Sequence, residues 1–362
     1  MSSCPFGQVN GRDARLFSLE NERMRVAVTD YAGALVSLEL SDGGGSREHV
    51  VLGFDSAEQY AAVSGSFGAL LGRNANRIAG GELTIEGRSY ALSRNEHGST
   101  LHGGVEGFGR RFWEVVEDHA DHLSLALVSP DGDQGFPGEV RVTATYRLAQ
   151  SSLTLAFEAT TTRTTVLSLS NHPYFNLDGI ASRDCLDHEL TLHASRFLPT
   201  DERQIPTGEL RSVAGTPFDF RSPRRMSERI RDTDVQLRYG GGYDHYFVLD
   251  GGDTDLAATG TGGEPSPRRA ARVRSPRSGR VLELATTQPG LQFYTGNKLN
   301  GTVAGRGGFY RQSAGFALEP QGFPDSPHHP DFPSTLLAPG QVYRARTVYT
   351  FSHGAVDTRG VR

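Results

Sequence analysis

Six segments of this chain mix aromatic rings with acids, bases and amides where a plain strand or helix needs no such mixture. They are LGRNANRIAGG, LHGGVEGFGRRFW, SNHPYFNLDG, GGYDHYFVLD, TTQPGLQFYTGNKLNG and FALEPQGFPDSPHHPDFPS. Aromatic faces cover apolar C–H patches, while planar amides, carboxylates and guanidinium groups satisfy hydroxyls, so the combination suits a polyhydroxylated ring such as a sugar. In VLSLSNHPYFNL, strand-like alternation from Val166 runs into Asn171 and His172, directly before Pro173 and the rings of Tyr174 and Phe175. A residue before proline is pushed to extended angles, so His172 is expected to continue the strand and then meet a turn. Imidazole exchanges a proton near neutral pH without a large pKa shift, which suits a positioned acid or base; the competing reading is a core histidine satisfied by a backbone carbonyl.

Glu319 closes the apolar run Phe316-Ala317-Leu318 beside Pro320 and Phe323. Partial desolvation there raises a carboxyl pKa and makes it a better base, unless an arginine pairs with it at the strand end. Glycines near Arg77 suggest a tight turn that leaves its guanidinium free to clamp adjacent hydroxyls, while Arg73 reads as a surface residue. His102 lies against Gly103 and Gly104, which would let a ligand approach the backbone. Asp244, flanked by Tyr243 and Tyr246, suits either two hydroxyl donors or a turn after the glycine run. The chain has 12 His, but no set of them with Asp or Glu matches a metal-ligand spacing. His328 and His329 are adjacent in a Pro-rich loop and are expected to point apart. No metal and no phosphate-binding glycine loop is expected.

The elements that must position these residues are strands. RMRVAVTD, ALVSLELSD, GELTIEGRSYALS, LSLALVS, EVRVTATYRLA, LTLAFEATTT and HELTLHA all alternate or are β-branched, and 44 Gly and 18 Pro punctuate them. DSAEQYAAV is the best helix, a short one capped by Asp55 or Ser56. The pattern predicts an all-β fold, a large antiparallel β-sandwich with few short helices, as one domain over 1–362 with its core at about 12–352. The Gly- and Arg-rich stretch 251–276 is expected to be a long exposed loop, and the tail after Phe351 to fray.

A formal charge of -5 and a pI near 6.2 argue against nucleic acid or an anionic membrane surface as partner. Two cysteines, Cys4 at an expectedly loose N-terminus and Cys185, suggest no disulfide framework. No apolar run is long enough to cross a membrane and no secretory signal is evident at the start, which fits a reducing cytoplasm.

Taken in order, GRNANRIAGG, LHGG followed by GFGRRFW, DGDQGFPGEV, SNHPYFNLDG, YDHYF, QPGLQFYTGN and LEPQGFPDSPHHPDFPS resemble the galactose mutarotase family, the aldose 1-epimerases, from about Gly72 to Pro339. The resemblance implies a β-sandwich with its site in a cleft of one sheet and a cofactor-free interconversion of the α and β anomers of free aldoses such as D-galactose and D-glucose. It implies Glu319 as the catalytic base on the C1 hydroxyl and His172 as the acid on the ring oxygen, placed on opposite sides of the C1–O5 unit. Asn76, Arg77, His102, Asp244 and Gln292 fall on its sugar-binding positions. Pro173, Pro320 and the length of the 251–276 stretch depart from the family pattern. A monosaccharide is the expected partner, for a monomer or homodimer. Three alternatives remain at this point: an epimerase of a hexose 6-phosphate using Arg73, Arg110, Arg111 or Arg306, a non-catalytic sugar-binding protein on the same fold, and a glycoside hydrolase built on Asp244 and Glu319.

Overall fold

The computed structural model describes residues 2–41, 46–63, 65–251 and 266–354. Strands dominate it. An N-terminal meander pairs Ser2–Val9, Arg12–Glu20, Met24–Thr29, Leu35–Ser41 and Arg47–His49 in chain order. Cys4 therefore lies on a paired strand and not in a loose terminus, and the structured core begins before residue 12.

A nine-stranded sheet is the largest among the described residues. Its order is Glu114–Asp118, His122–Ser129, Val140–Ala149, Ser152–Thr161, Tyr343–His353, Arg280–Thr286, Arg268–Arg274, Glu189–Leu192 and Arg224–Arg225. Its long strands behave as period-two sequence demands. Val142, Ala144, Tyr146 and Leu148 face inward along Val140–Ala149, alternating with exposed or half-exposed neighbours. Arg268–Arg274 is one of these strands, so the expected 251–276 loop ends earlier; 252–265 lie outside the described residues. The last strand runs on to His353, and 355–362 are likewise outside them.

A second five-stranded sheet orders Arg211–Ser212, Ala194–Leu198, Asp244–Leu249, Gly290–Tyr294 and Ala317–Gln321. One hydrophobic cluster joins the sheets, running from Phe17 through Leu155, Phe247 and Phe293 to Phe351. All pairings between named strands are antiparallel. Ala57–Ala62 is the expected short helix; Ser56 stands at its N-cap but its side chain makes no capping bond. Val235–Gly240, a second short helix, is capped by Asp234 through Gln236 N–H. No helix of the described residues is long and apolar enough to cross a membrane.

The Val166–Leu177 stretch is not the continuous strand that its alternation suggests. Thr165–Val166 pairs with Leu336–Leu337, and Ser170–Asn171 pairs separately with Leu70–Leu71. Between them Leu167 and Ser168 bond to Thr335 O and Arg73 O, so the segment threads between neighbours instead of joining one ladder.

Candidate active site

Three adjacent strands of the second five-stranded sheet supply the floor. Asp244 begins Asp244–Leu249, Gln292 is central in Gly290–Tyr294, and Glu319 is central in Ala317–Gln321. The register sets Gln292 opposite Glu319 and Tyr294 opposite Asp244. Directly opposed residues share a face, and residues two apart on one strand do too, so Asp244, Gln292, Tyr294 and Glu319 converge. Tyr294 is therefore a site residue that the sequence reading missed, although its spacing from Gln292 signals it.

His172 comes from outside this sheet. Its N–H donates to Ala69 O at 3.0 Å and its carbonyl accepts from Gly68 N–H at 2.8 Å, which clamps the backbone beside Pro173. Its Nε2 lies 3.4 Å from Glu319 Oε1, and the residues are only 6% and 2% exposed. The ring sits 4.7 Å from Tyr174 and 6.1 Å from Tyr294 between centroids. Phe175, expected as the second wall, instead packs into the core against Phe316 and Tyr349. Tyr243 and Tyr246 also leave the site, donating to Pro217 O and Gln321 O.

Burial, reinforced by the charge of Asp244 and opposed by Arg77, pushes Glu319 well above the usual carboxylate range. Burial also lowers His172, to about 4. Both shifts favour the neutral forms, so burial biases a proton held by the pair towards the carboxyl. Passing such a proton from Glu319 to His172 gives carboxylate and imidazolium without changing the total charge.

His102 is fixed by its backbone neighbour: Nδ1 accepts from Asn76 N–H at 3.1 Å. Burial, with help from His172, Arg77 and Lys298, holds this imidazole well below its ordinary pKa. A neutral ring whose Nδ1 accepts must carry its proton on Nε2, so His102 is a donor. His102, His172 and Glu319 each offer one atom, all within 4.8 Å, a cluster that the sequence spacing hid. The Nε2 lone pair that a metal would need on His102 is occupied by that proton while Nδ1 accepts, so the trio does not fit a metal. The adjacent glycine serves packing: a Cβ on Gly103 would stand 1.9 Å from Gly72 O. It admits a neighbouring chain segment, not a ligand.

Arg77 is not free. It is buried; Nε donates to Glu96 Oε2 at 2.6 Å and Nη2 to Gln204 Oε1 at 2.8 Å. Asn76 Oδ1 accepts from Arg77 N–H and so shapes this turn. Asp244 accepts from Gln204 Nε2 and Gln292 Nε2, both at 2.7 Å, one on each oxygen. Glu96, Gln204 and the chain's single lysine, Lys298, which donates to Glu96 at 2.7 Å, were not foreseen. They lie on turns with no periodicity to reveal them. Arg73 is also corrected: it is fully buried, donating to Ser129, Pro130 and Pro137. His328 and His329 do not diverge, since both reach Asp325.

All seven expected residues line one cavity of about 560 Å³, together with Tyr174, Tyr294, Glu96 and Lys298. Val63, Val105, Leu299 and Val303 form apolar parts of its wall. The volume lies in the range of small-molecule sites.

Known proteins resemble this chain over nearly all of its length. The sequence model described as aldose 1-epimerase matches residues 15–350. Galactose mutarotase of Bos taurus is 42% identical over 337 residues, covering 93% of each chain. Aldose 1-epimerase of Escherichia coli K12 is 39% identical over 346 residues, covering 94% of this chain and 96% of its own. The crystal structure of galactose 1-epimerase from Lactobacillus acidophilus superposes with a TM-score of 0.83 at 28% identity, covering 98% of this chain and 99% of that one.

Proposed function

The chain belongs to the aldose 1-epimerase family, and from that premise we propose that it interconverts the α and β anomers of free aldoses such as D-galactose and D-glucose. The observation that carries the mechanism is the pairing of His172 and Glu319, 3.4 Å apart in the wall of the cavity. The two stand side by side and not across a gap. The anomeric hydroxyl and the ring oxygen are both bonded to C1, so two adjacent groups can each meet one of them.

In the carboxylate–imidazolium form, Glu319 takes the proton of the C1 hydroxyl while His172 gives its proton to the ring oxygen. The C1–O5 bond breaks as the C1–O1 bond becomes a carbonyl, leaving an open-chain aldehyde. Rotation about C1–C2 turns the other carbonyl face to the C5 hydroxyl, and closure returns both protons. Proton count and atoms balance, and no redox step occurs. His102, a neutral donor, hydrogen-bonds the sugar near the reacting oxygens. Arg77, Asp244, Gln292 and Asn76 hold the remaining hydroxyls. Gln292 Oε1 and Glu319 Oε2, both buried without a protein partner, suit hydroxyl donors of a bound sugar.

A free sugar is favoured over a 6-phosphorylated one because all four arginines available for phosphate are committed. Arg73 is buried on carbonyls, Arg110 donates to Ala61 O and Val63 O, Arg111 pairs with Asp133 and Arg306 with Asp55. We also assign the protein to the cytoplasm; Cys4 and Cys185, both unpaired, suit a reducing compartment. The test is polarimetric: crystalline α-D-galactose is dissolved and its rotation followed with and without protein. Faster relaxation to the same end point, lost in Glu319→Gln, is the expected result; an unchanged rate with galactose and glucose overturns the reading.

A further inference from the structure

Gln204 touches neither the cavity nor the reacting pair, yet it joins the two charged residues that the sugar is read to meet. Its Oε1 accepts from Arg77 Nη2 at 2.8 Å and its Nε2 donates to Asp244 Oδ2 at 2.7 Å. Guanidinium is donor only and carboxylate acceptor only, so this amide has one possible orientation. A rigid turn delivers it. Asp201 Oδ1 accepts from Arg203 N–H and Ile205 N–H, Gln204 N–H donates to Asp201 O, and Gln204 itself has φ of 62°.

The amide is the middle of an ordered chain: Lys298 to Glu96, Glu96 to Arg77, Arg77 through Gln204 to Asp244, and Asp244 to Gln292. Without a neutral spacer, a guanidinium and a carboxylate at this range attract each other, and a direct bidentate pair would consume the donors and acceptors that a sugar needs. With it, Arg77 keeps Nη1 without a partner among the described residues, and both Asp244 oxygens keep acceptor capacity.

We propose that Gln204 is a positioning residue that holds Arg77 and Asp244 apart and presents both to the substrate. This rests on the reading of the site as an aldose site. Because these contacts hold hydroxyls remote from C1, their loss weakens ground state and transition state alike and appears in KM.

Two variants test it by mutarotation kinetics, each checked by thermal melting for an intact fold. Gln204→Met keeps the length and removes both bonds; KM is expected to rise roughly tenfold or more, as loss of bonds to charged groups implies, with kcat changed far less. Gln204→Glu supplies a built-in signature. Protonated, its carboxyl donates to Asp244 and accepts from Arg77 as the amide does; ionised, it repels Asp244. The charged groups around it are Arg77, Asp244, Glu96 and Lys298, with Asp201, Glu202 and Arg203 on its own turn and the His172–Glu319 pair beyond. Dividing the variant's kcat/KM by that of the wild type removes the titration of that pair. The ratio is expected to climb from alkaline to mildly acidic pH. A wild-type KM in Gln204→Met, or a ratio flat with pH in Gln204→Glu, overturns the role of Gln204. A wild type that does not accelerate mutarotation overturns instead the reading of the site.

Discussion

Val140–Ala149 in the nine-stranded sheet and Ala317–Gln321 in the site sheet are both antiparallel strands, yet they spend their side chains differently. The first buries every second residue, and its outward neighbours are half or fully exposed. The second buries every residue, including Glu319 and Gln321. In the first, dry packing of Val142, Ala144, Tyr146 and Leu148 supplies stability. In the second, the same dryness falls on the ionisable Glu319 and raises its proton affinity, a cost in stability that the proposed chemistry uses. The first strand serves packing; the second carries the carboxyl of the proposed acid–base pair.

The largest expected effect breaks the chemistry and spares the shape. Glu319→Gln and His172→Asn are each expected to lower turnover roughly 10²–10⁴-fold, the usual range for loss of a positioned acid or base. Glu319→Gln should not lower the melting temperature, because it removes no packed volume, whereas His172→Asn opens space beside Tyr174 and is expected to lower it modestly. Stopped-time polarimetry beside a melt reads both quantities; activity within a few-fold of wild type would return the pair to a structural role.

The converse variant lies in the long sheet. Leu155 is 1% exposed and packs in the main cluster, opposite Tyr146. Leu155→Ala is expected to cost about 2–5 kcal/mol of stability, from lost transfer energy plus the cavity left behind. Well below its melting temperature its kcat and KM should match the wild type. A marked loss of kcat in the folded variant would mean that the two sheets are not separable in this way.

This division also explains what the sequence disclosed. Strands such as LTLAFEATTT were readable because one face is wet, and wet–dry alternation leaves a period. Glu319, His172, Arg77, His102, Asp244, Asn76 and Gln292 were singled out by motif order, and the structure gathers all seven around one cavity. Their partners were not. That Arg77 is engaged by Glu96 and Gln204, and that Tyr294 replaces Phe175 as a wall of His172, depend on which turns and strands meet in space. Arg73 was misread for a related reason: apart from the Ser129 hydroxyl its acceptors are carbonyls more than fifty residues away, and a carbonyl has no residue type to recognise.

A finer test concerns how the pair titrates. The proposed mechanism needs one proton between His172 and Glu319. As pH falls through about 4, where burial has placed His172, a second proton binds and the base is lost. As pH rises through the elevated value of Glu319, the last proton leaves and the acid is lost. The kcat/KM profile, corrected for uncatalysed mutarotation, should be a plateau with these two limbs, both belonging to the pair. Loss of activity already at an ordinary histidine pKa of 6.5 would contradict the burial of that ring.

The smallest expected effect is on stability, and its sign distinguishes the two sheets most sharply. Burial raises Glu319 above its ordinary value of 4.5, so in the unfolded chain it ionises first as pH rises. Above 4.5 the unfolded state binds fewer protons than the folded state, and the stability associated with this group, fully present below that value, is lost as pH climbs through the folded pKa. Glu319→Gln cannot ionise in either state and escapes the loss. The melting temperature of the variant minus that of the wild type should therefore grow more positive from acid to alkaline pH. Leu155→Ala, which removes no titratable group, should show a deficit that stays constant over the same range. Parallel curves for Glu319→Gln and the wild type would show that the carboxyl is as free to ionise in the fold as in water, and the site sheet would then be no drier, in the sense that matters for catalysis, than the exposed faces of its neighbour.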